Sequence, residues 1–372
     1  MPDSTENRLC RIQRAIELQA VEGIGLVYAR RLWELLGPLQ HWEDVDFKKL
    51  QHKQCNSWRN RLVMLERRGY ANSQLDILYR STWQVVLIDD KDYPPYLRHL
   101  VDAPLFLFVK GNRSHLLRQH IALVGTRKPS IEGLTVCAEL VQSIATSGCK
   151  NRLSIVSGLA RGIDAQAHKI SLSEGLCTLA ILGNSPQHIY PPEHFELADK
   201  IVDNGGLLVT EFLPDVISRP YHFAQRNRVI SGMSRLTIVV ESALKGGALI
   251  TAKRAYEENR DVFAVPGRCS DKSSLGCNHL IAQNMAQLIE DPQTFWSSYV
   301  SCIQYGTTSD STSLSVEAQA VFDHIAQCGR VSLEAMIKMF GTSFPVCETL
   351  LELETARIVS FHKGGYYSIH AP

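Results

Sequence analysis

The chain has 372 residues, and its 39 lysines and arginines nearly balance 38 aspartates and glutamates, for a formal net charge of +1. This balance excludes a uniformly basic protein that coats nucleic acid, so any polyanion site must be a local patch. No apolar run reaches membrane-spanning length and no apolar leader is present, which predicts a cytoplasmic protein without membrane contact. The ten cysteines lack zinc-like spacing, and neither a metal nor a cofactor is expected.

Residues 1–80 are predicted to form a small helical domain. Amphipathic helices are expected within residues 12–37, joined through Val21–Gly25. The Gly-Ile-Gly sequence of that joint is typical of a helix-hairpin-helix turn and also of SAM-like interaction domains. The next helical stretch, Trp58–Tyr70, carries the arginines Arg59, Arg61, Arg67 and Arg68. They are compatible with DNA contact or with a solvated helix face, and a structural or modulatory role is favoured.

Residues 81–300 alternate apolar runs with glycine-containing turns and helical stretches. Four such strand–turn pairs occur, in IALVGTR, LSIVSGLARGID, LTIVVESALKGG and VFAVPG. This alternation predicts a Rossmann-like α/β domain with a doubly wound, mostly parallel sheet. Ligands of such sheets bind outside the carboxyl ends of the strands, where amides at helix starts hold phosphate. Neither the G-x-G-x-x-G spacing nor a Walker A lysine motif occurs, so a standard dinucleotide or ATP site is not predicted.

The segment YHFAQRNRVISGMS, residues 221–234, is the strongest candidate for ligand contact. Arg226 and Arg228 flank an asparagine and follow the aromatic Phe223. Arginine donates forked hydrogen bonds to phosphate oxygens and an exposed aromatic ring stacks on bases, so the combination is typical of a polyanion-binding surface. The alternative is a helix start whose arginines only pair with nearby carboxylates. The small pair Ser231-Gly232 is interpreted as a turn before the next strand.

Other charged residues follow the strand-end turns. If the sheet forms as predicted, seven cations lie along one of its edges. They are Arg127, Lys128, Arg161, Arg226, Arg228, Arg235 and Lys245. Asp164 and His168 lie four residues apart on a predicted helix and could share one face. They are interpreted as a helix cap and a packed side chain rather than as a catalytic pair.

The composition changes after Pro292. Residues 301–314 are rich in serine and threonine and are predicted to be a linker. Residues 315–372 contain three apolar-periodic segments and two strand-like runs around Gly364-Gly365, the order expected for a winged helix. Lys338 is the only basic residue on the second and third predicted helices. Protein–protein contact is therefore favoured over the reading of duplex DNA.

The motifs of the central domain resemble those of the DNA-processing protein A family (DprA, also called Smf). They are GTR, VSGLARGIDAQAH, IYPP, VTEF, HFAQRNRVISGMS, VVESALKGGALITA, VFAVPG and LGCNHLI, in that order across roughly residues 83–290. Two departures are that Ala224 replaces the family's usual proline and that Gly246–Leu249 replaces a serine-containing turn. Glu193 follows Tyr190-Pro191 where many members carry lysine or asparagine, so that loop is left out of the predicted site.

The resemblance implies an extended Rossmann-like domain that binds single-stranded DNA. It also implies loading of the RecA recombinase during natural transformation, assembly as a homodimer, no catalytic activity and no cofactor. The implied DNA-binding residues are Gly125, Thr126, Arg127, Ser157, Gly158, Arg161, Phe223, Arg226, Asn227, Arg228, Lys245, Gly246 and Gly247. In this interpretation the turns hold phosphates, the arginines neutralise them and Phe223 stacks on a base.

Two alternatives from other classes stay open. A nucleotide phosphoribohydrolase-like enzyme would share similar glycine turns, but its P-G-G-x-G-T-x-x-E signature is missing, since Pro266-Gly267 continues as Arg268-Cys269-Ser270. A nucleotide-sensing adaptor would hold a small nucleotide at the sheet edge and bind proteins through its terminal domains. Titration with mononucleotides separates this adaptor from a DNA-binding protein.

Overall fold

The computed structural model of the protein describes residues 5–36, 41–147, 150–292, 295–297, 299, 315–328, 331–341, 344–355, 358–362 and 365–369. The chain divides into two compact units, residues 1–292 and 293–372. The domain boundaries predicted at residues 80, 300 and 314 stay predictions, and the predicted linker lies outside the described residues. No helix within the described ranges is long and apolar enough to cross a membrane.

Four α-helices form the N-terminal part of the first unit. They are α1 (Thr5–Ala20), α2 (Leu26–Leu36), α3 (Cys55–Arg67) and α4 (Tyr70–Arg80), with a 3-10 helix at Phe47–Leu50. Apolar residues at helical spacing are buried, as Ile16, Leu32 and Leu62 illustrate. Their core is continuous with that of the sheet that follows. The SAM-like or helix-hairpin-helix classification stays a prediction.

A nine-stranded sheet forms the centre of the first unit, in the spatial order β1-β2-β6-β5-β4-β3-β7-β8-β9. The strands are β1 (Gln84–Leu87), β2 (Phe106–Gly111), β3 (Gln119–Val124), β4 (Leu153–Ser157), β5 (Thr178–Ile181), β6 (Leu207–Thr210), β7 (Leu236–Val239), β8 (Asp261–Ala264) and β9 (Gln287–Leu288). The strands from β6 to β9 in that order pair in parallel, while β1 and β2 pair antiparallel. The prediction of a mostly parallel α/β sheet is confirmed.

Helices connect the strands and pack on the sheet. They are α5 (Pro95–Arg98), α6 (Ile131–Thr146), α7 (Ile163–Ser173), α8 (Phe195–Asp203), α9 (Pro220–Met233), α10 (Ala248–Glu257) and α11 (Leu275–Ala282), with 3-10 helices at Arg113–Leu117 and Pro192–His194. Every residue of β4 and β5 is buried. Parallel strands covered on both faces read as continuous apolar runs, which explains why β4 was recognisable in the sequence.

The strand order reverses between β3 and β7. From β3 the chain adds β4, β5 and β6 on one side, then crosses back to place β7, β8 and β9 on the other. In open parallel sheets a crevice forms at the carboxyl ends of the two strands where the order reverses. The turns after these two strands are neighbours, and the Thr126 N–H donates to the Glu241 carbonyl over 2.7 Å.

Helix α9 continues through the small residues that the sequence suggested as a turn. It ends at Met233, so Ser231 and Gly232 are helical and the prediction of a turn is wrong. Tertiary packing is the reason, because a Cβ on Gly232 would lie 2.5 Å from Leu100 Cδ1 and 2.9 Å from Leu97 Cδ1. Glycine at this position lets α9 pack closely against α5.

The N-terminal helices also hold the loop that leads from β6 into α9. Gln19 of α1 donates from Nε2 to the Glu211 carbonyl over 2.5 Å. Tyr70 of α4 donates its hydroxyl to the Asp215 carboxylate over 2.8 Å, and Gln74 Oε1 accepts the Asp215 N–H over 3.2 Å. The entry into α9 is therefore fixed by side chains that lie far away in the sequence.

The second unit contains helices and a three-stranded antiparallel sheet in the spatial order β10-β12-β11. Its elements are α12 (Val316–Cys328), β10 (Val331–Ser332), α13 (Leu333–Phe340), α14 (Val346–Thr355), β11 (Val359–His362) and β12 (Tyr366–Ile369). Helix α14 exposes Glu348, Glu352 and Glu354, which adds to the scarcity of basic residues there. The winged-helix assignment stays a prediction, and Gly364 lies outside the described residues.

Candidate nucleic-acid interface

A cleft of about 530 Å³ lies at the carboxyl ends of β3 and β7, where the strand order reverses. Its walls come from the turns after these strands, the loop after β4 and the first turns of α9 and α10. Predicted site residues that line it are Gly125, Thr126, Arg127, Phe223, Arg226, Asn227, Gly246 and Gly247. The sequence prediction therefore identified much of the wall of one cleft.

Close packing next to the cleft explains the glycines of two turns. A Cβ on Gly125 would lie 2.5 Å from Ile163 Cγ1, so glycine lets α7 approach the end of β3. Gly162 has a φ of +78°, and a Cβ there would lie 2.3 Å from the Thr126 carbonyl oxygen. The Ile163 N–H donates to that same carbonyl over 3.2 Å. The turns after β3 and β4 are thus locked together.

Arg127 and Lys128 are exposed cations that line the cleft. Across the part of the chain that the structure describes, neither side chain forms an ion pair. The Lys128 N–H donates to Thr126 Oγ1 over 3.2 Å, which fixes the turn that carries both charges. Two charges without a carboxylate partner at a strand-end crevice create a local positive potential in a chain of nearly zero net charge.

The first turn of α10 forms another part of the wall. It begins after Gly246 and Gly247, and within the described residues it has no side-chain cap. The first N–H groups of a helix lack partners within the helix, and an anion near them is stabilised by hydrogen bonding and by the helix dipole. The Leu249 and Ile250 N–H groups donate to the Gly246 and Gly247 carbonyls. The backbone donors that remain for a ligand in the cleft are therefore those of Gly247 and Ala248.

Arg226 lines the cleft, but its guanidinium is buried. It donates from Nη1 to the Gly158 carbonyl over 2.8 Å and to the Ile181 carbonyl. Asp164 lies beside it, since a Cβ on Gly158 would be 2.7 Å from both Arg226 Nη atoms and from Asp164 Oδ2. Burial lowers the pKa of Arg226 to about 10, although the Asp164 charge opposes this, and the guanidinium stays protonated at neutral pH. Arg226 therefore ties α9 to the ends of β4 and β5.

Asp164 holds the loop before α7. Its Oδ2 accepts the Gly158 N–H over 3.2 Å and the Ala160 N–H over 3.3 Å. Helix α7 has Gly162 at its N-cap and no side-chain cap among the described residues. The prediction that Asp164 caps this helix is therefore wrong, because the carboxylate turns back to the amides of the preceding loop and to Arg226.

Arg228 does not line the cleft. It forms a buried ion pair with Glu211 and donates from Nη1 to the Asp102 carbonyl over 2.5 Å. Burial raises the pKa of Glu211, and the Arg228 charge opposes that rise. The sequence alternative of an arginine paired with a nearby carboxylate thus describes Arg228, and Arg226 also lies beside a carboxylate, that of Asp164.

Three further predicted residues lie beside the cleft. Ser157 is buried, and its hydroxyl donates to the Leu123 carbonyl over 2.7 Å. Lys245 is exposed in the loop that precedes the Gly246-Gly247 turn. Arg161 is exposed and forms an ion pair with Glu193. Of these, Arg161 lines a smaller recess next to the cleft.

Phe223 lines both the cleft and the recess, and Tyr190 lines the recess beside it. Their ring centroids are 5.1 Å apart with an interplanar angle of 51°. Phe223 is half-buried and lies against Gly183, where a Cβ would be only 2.6 Å from Phe223 Cδ1. Tyr190 is 47% exposed. The sequence analysis left the loop of Tyr190 out of the predicted site, whereas the structure places this ring in the wall of the recess.

His168 is a buried, uncharged side chain of α7. Its Nδ1–H donates to Thr178 Oγ1 over 2.7 Å, because the Thr178 hydroxyl itself donates to the Ile155 carbonyl. Nε2 is buried without a hydrogen-bond partner among the described residues. Protonation would place a second, unsatisfied N–H in the core, and burial accordingly lowers the pKa of His168 to about 3.

Acidification is expected to destabilise the fold through His168. An unfolded histidine titrates near 6.5 and the folded one near 3, so the unfolded state binds more protons between these values. Stability is therefore complete above about pH 6.5 and falls as the pH drops toward 3, by roughly 2 kcal/mol between pH 7 and pH 5. Urea unfolding at pH 7 and at pH 5 measures how much the free energy of unfolding falls on acidification. This fall is expected to be about 2 kcal/mol smaller in His168→Gln than in wild type.

The matched control for this measurement is His188→Gln, because His188 is exposed. Its acid-induced loss of stability is expected to equal that of the wild type. An equal loss in His168→Gln and wild type would contradict the assignment of the proton uptake to His168.

The mostly parallel nine-stranded sheet, its switch-point cleft and the exposed cations along it define a mixed α/β protein with positive charge at one edge of the sheet. The chain belongs to the DNA recombination-mediator protein A family, whose model matches residues 84–300. DNA processing protein DprA of Streptococcus pneumoniae is 37% identical over 263 residues, which cover 70% of this chain and 90% of that protein. Protein Smf of Escherichia coli is 35% identical over 311 residues, which cover 80% and 81% of the two chains.

Two solved structures resemble the fold. The X-ray structure of DNA processing protein A from Streptococcus pneumoniae has a TM-score of 0.65 and 30% identity, covering 79% of this chain and 98% of that one. A structure that describes the single-stranded DNA binding mode of DNA processing protein A from Helicobacter pylori has a TM-score of 0.53 and 26% identity. It covers 59% of this chain and 96% of the other.

Proposed function

We propose that this protein binds single-stranded DNA in the cleft at the switch point of its sheet and acts there as a recombination mediator. The proposal is carried by two cations without ion-pair partners among the described residues, Arg127 and Lys128, next to the ring of Phe223. Membership of the DNA recombination-mediator protein A family supports it, as does the likeness to the Helicobacter pylori protein.

The elements of the cleft have separate roles in this proposal. Arg127 and Lys128 neutralise backbone phosphates, which displaces counterions from the strand. The glycine turn Gly246-Gly247 lets phosphate oxygens approach the amides at the start of α10. Phe223 stacks on a base, and Asn227 offers its side-chain amide in the same cleft. Stacking does not distinguish strongly between bases, so the proposed site tolerates many sequences.

The other predicted residues support this surface. Gly125 and Thr126 shape the wall of the cleft, and Gly158 shapes the recess beside it by leaving room for Arg226 and Asp164. Lys245 extends the positive potential beyond the cleft, whereas the charge of Arg161 is balanced by its ion pair with Glu193. Ser157, Arg226 and Arg228 act through the internal hydrogen bonds and the ion pair that fix the strand ends and α9. In this proposal they position the site without touching a phosphate.

We also propose, from the family resemblance, that the protein loads the RecA recombinase onto this DNA during natural transformation. It would act in the cytoplasm as a homodimer. Sedimentation velocity of the chain alone tests the dimer. Co-sedimentation of RecA with the protein, with and without oligothymidine, tests the partner.

Removal of both free charges is expected to weaken DNA binding and its salt dependence together. In Arg127→Ala/Lys128→Ala, loss of two phosphate contacts lowers the slope of log affinity against log salt by about 1.4, because each contact contributes about 0.7 on single strands. The affinity at moderate salt falls about tenfold or more. Fluorescence anisotropy of a labelled oligothymidine over a salt series measures both quantities.

Lys48→Ala/Lys49→Ala is the matched control, since it removes two exposed cations from the N-terminal helical region. It is expected to leave the slope unchanged. Wild-type binding by Arg127→Ala/Lys128→Ala would reject the cleft as the DNA site, whereas a loss confined to the control variant would move the site to the helical region. Competition with duplex DNA measures the preference for single strands.

A small nucleotide is the second candidate ligand, because a cleft of about 530 Å³ has the size of a small-molecule pocket. Thymidine monophosphate added to the complex distinguishes the two. If the cleft accommodates a strand by several phosphates, the mononucleotide competes only weakly. Efficient displacement at equal nucleotide concentration would favour the nucleotide-sensing adaptor.

A further inference from the structure

The recess beside the cleft shares Arg127, Ala160 and Phe223 with it. Its remaining walls are formed by Gly158, Arg161, Tyr190 and Pro191. Two aromatic rings and two guanidinium groups therefore border a space that continues from the proposed DNA site. The recess is small, about 20 Å³, so it adds aromatic and cationic edges to the proposed DNA site without forming a pocket for a base.

At the rim of this recess, the guanidinium of Arg161 is already paired with the carboxylate of Glu193. The Glu193 and Arg161 side chains are 47% and 58% exposed. The hydrogen bond from Arg161 lowers the pKa of Glu193, so the carboxylate is ionised at neutral pH. A phosphate that approaches Arg161 has to displace this carboxylate and then remains close to its negative charge.

A contact of the neighbouring residue holds Glu193 in place. Glu193 belongs to the 3-10 helix Pro192–His194. His194 donates its Nδ1–H to the Leu159 carbonyl over 2.8 Å, and Leu159 lies in the loop that carries Arg161. The loops after β4 and β5 are therefore joined, which keeps the carboxylate within reach of the guanidinium.

We infer that Glu193 competes with DNA phosphate for Arg161 and thereby limits the affinity of the protein for single-stranded DNA. This inference rests on the proposed function, because it requires DNA in the adjoining cleft. Arg127 and Lys128 attract the phosphates of the strand directly. Arg161 binds a phosphate only when that phosphate replaces the Glu193 carboxylate. The exchange is reversible, because the Glu193 carboxylate pairs with the Arg161 guanidinium again when a phosphate leaves. A bound strand can therefore dissociate readily.

The test is an anisotropy titration of labelled oligothymidine with the full-length wild type, Glu193→Gln, Arg161→Ala and their double variant, between about 50 and 200 mM NaCl. Glu193→Gln is expected to tighten binding about three- to fivefold and to steepen the salt slope by about 0.7. In the Arg161→Ala background the same substitution is expected to have no effect. Glu196→Gln, which removes another exposed carboxylate three residues away, is the control of equal charge.

Equal affinities of Glu193→Gln and wild type, or equal gains from Glu193→Gln and Glu196→Gln, would overturn the inference while leaving the proposed function intact. A gain that persists in the Arg161→Ala background would also overturn it, because Glu193 would then act without competing for Arg161. A wild type that binds no oligothymidine would reject the proposed function and the inference together. Thermal unfolding of each variant ensures that folded proteins are compared.

Discussion

Replacing Arg228 with alanine is expected to lower the free energy of unfolding by about 3–5 kcal/mol, because the Glu211 carboxylate is left buried without its cation. The two side chains of this ion pair are only 7% and 1% exposed. The substitution also removes the hydrogen bond to the Asp102 carbonyl. Urea unfolding followed by circular dichroism measures the loss, and a constant m-value shows that the unfolded states are comparable.

Two further variants separate the missing charge from the missing side chain. Arg228→Met/Glu211→Leu removes both charges and is expected to recover most of the stability, since apolar residues of similar volume often replace a buried ion pair. Lys245→Ala, at an exposed position, is expected to change the free energy of unfolding by less than about 0.5 kcal/mol. An Arg228→Ala protein of wild-type stability that no longer binds DNA would contradict the structural role.

Arginine variants in this helix therefore need a stability measurement beside every binding measurement. Arg226→Ala would remove the donor to two buried carbonyls and leave the Asp164 carboxylate without its cation. A double alanine variant at positions 226 and 228 would lose DNA binding by unfolding, whatever the location of the DNA site. The exposed pair Arg127 and Lys128 gives a cleaner test of phosphate contact.

Replacing Phe223 with alanine is expected to weaken oligothymidine binding by about 1–3 kcal/mol, or roughly 5- to 150-fold, through the loss of one stacked base. The ring borders both the cleft and the recess and is only half-buried. The salt slope is expected to stay at the wild-type value, because no phosphate contact is removed. Anisotropy titrations at several salt concentrations measure affinity and slope in the same experiment.

Conservative variants at this position distinguish stacking from packing. Phe223→Leu keeps apolar contact with Gly183 but has no ring, and it is expected to bind as weakly as the alanine variant. Phe223→Tyr keeps the ring and is expected to bind like the wild type. Tyr79→Ala removes an exposed ring from α4 and serves as the distant control. Wild-type affinity of Phe223→Leu would show that the ring packs and does not stack.

The sheet and its cleft could be predicted because both depend on local signals. The run Ile121–Val124 is apolar because its strand is covered on both faces, and Gly125 follows because α7 approaches the strand end too closely for a side chain. The same pairing of strand and glycine turn marks β4 and β7. Parallel strands carry such turns at one edge, so Thr126 and Arg127 were correctly expected near the other turns.

The partners of the charged residues could not be predicted in the same way. Arg226 donates to carbonyls 68 and 45 residues away, Arg228 pairs with a carboxylate 17 residues away, and Arg161 pairs with Glu193 across 32 residues. A sequence shows that a side chain is charged but not which group meets it after folding. The burial of Arg226 and Arg228 depends on long-range contacts and could not be predicted. The position of Arg127 next to a strand-end glycine could be predicted from the local sequence.

The loop that enters α9 is held by helices that are translated before it. Gln19 meets Glu211 across 192 residues, while Tyr70 and Gln74 meet Asp215 across 145 and 141 residues. During synthesis the N-terminal helices emerge long before these partners are translated. Until then, the part of their surface that will contact the sheet domain has no partner. The cleft also needs α10, which ends at Glu257. A nascent chain therefore has no complete cleft until most of the first unit has been translated.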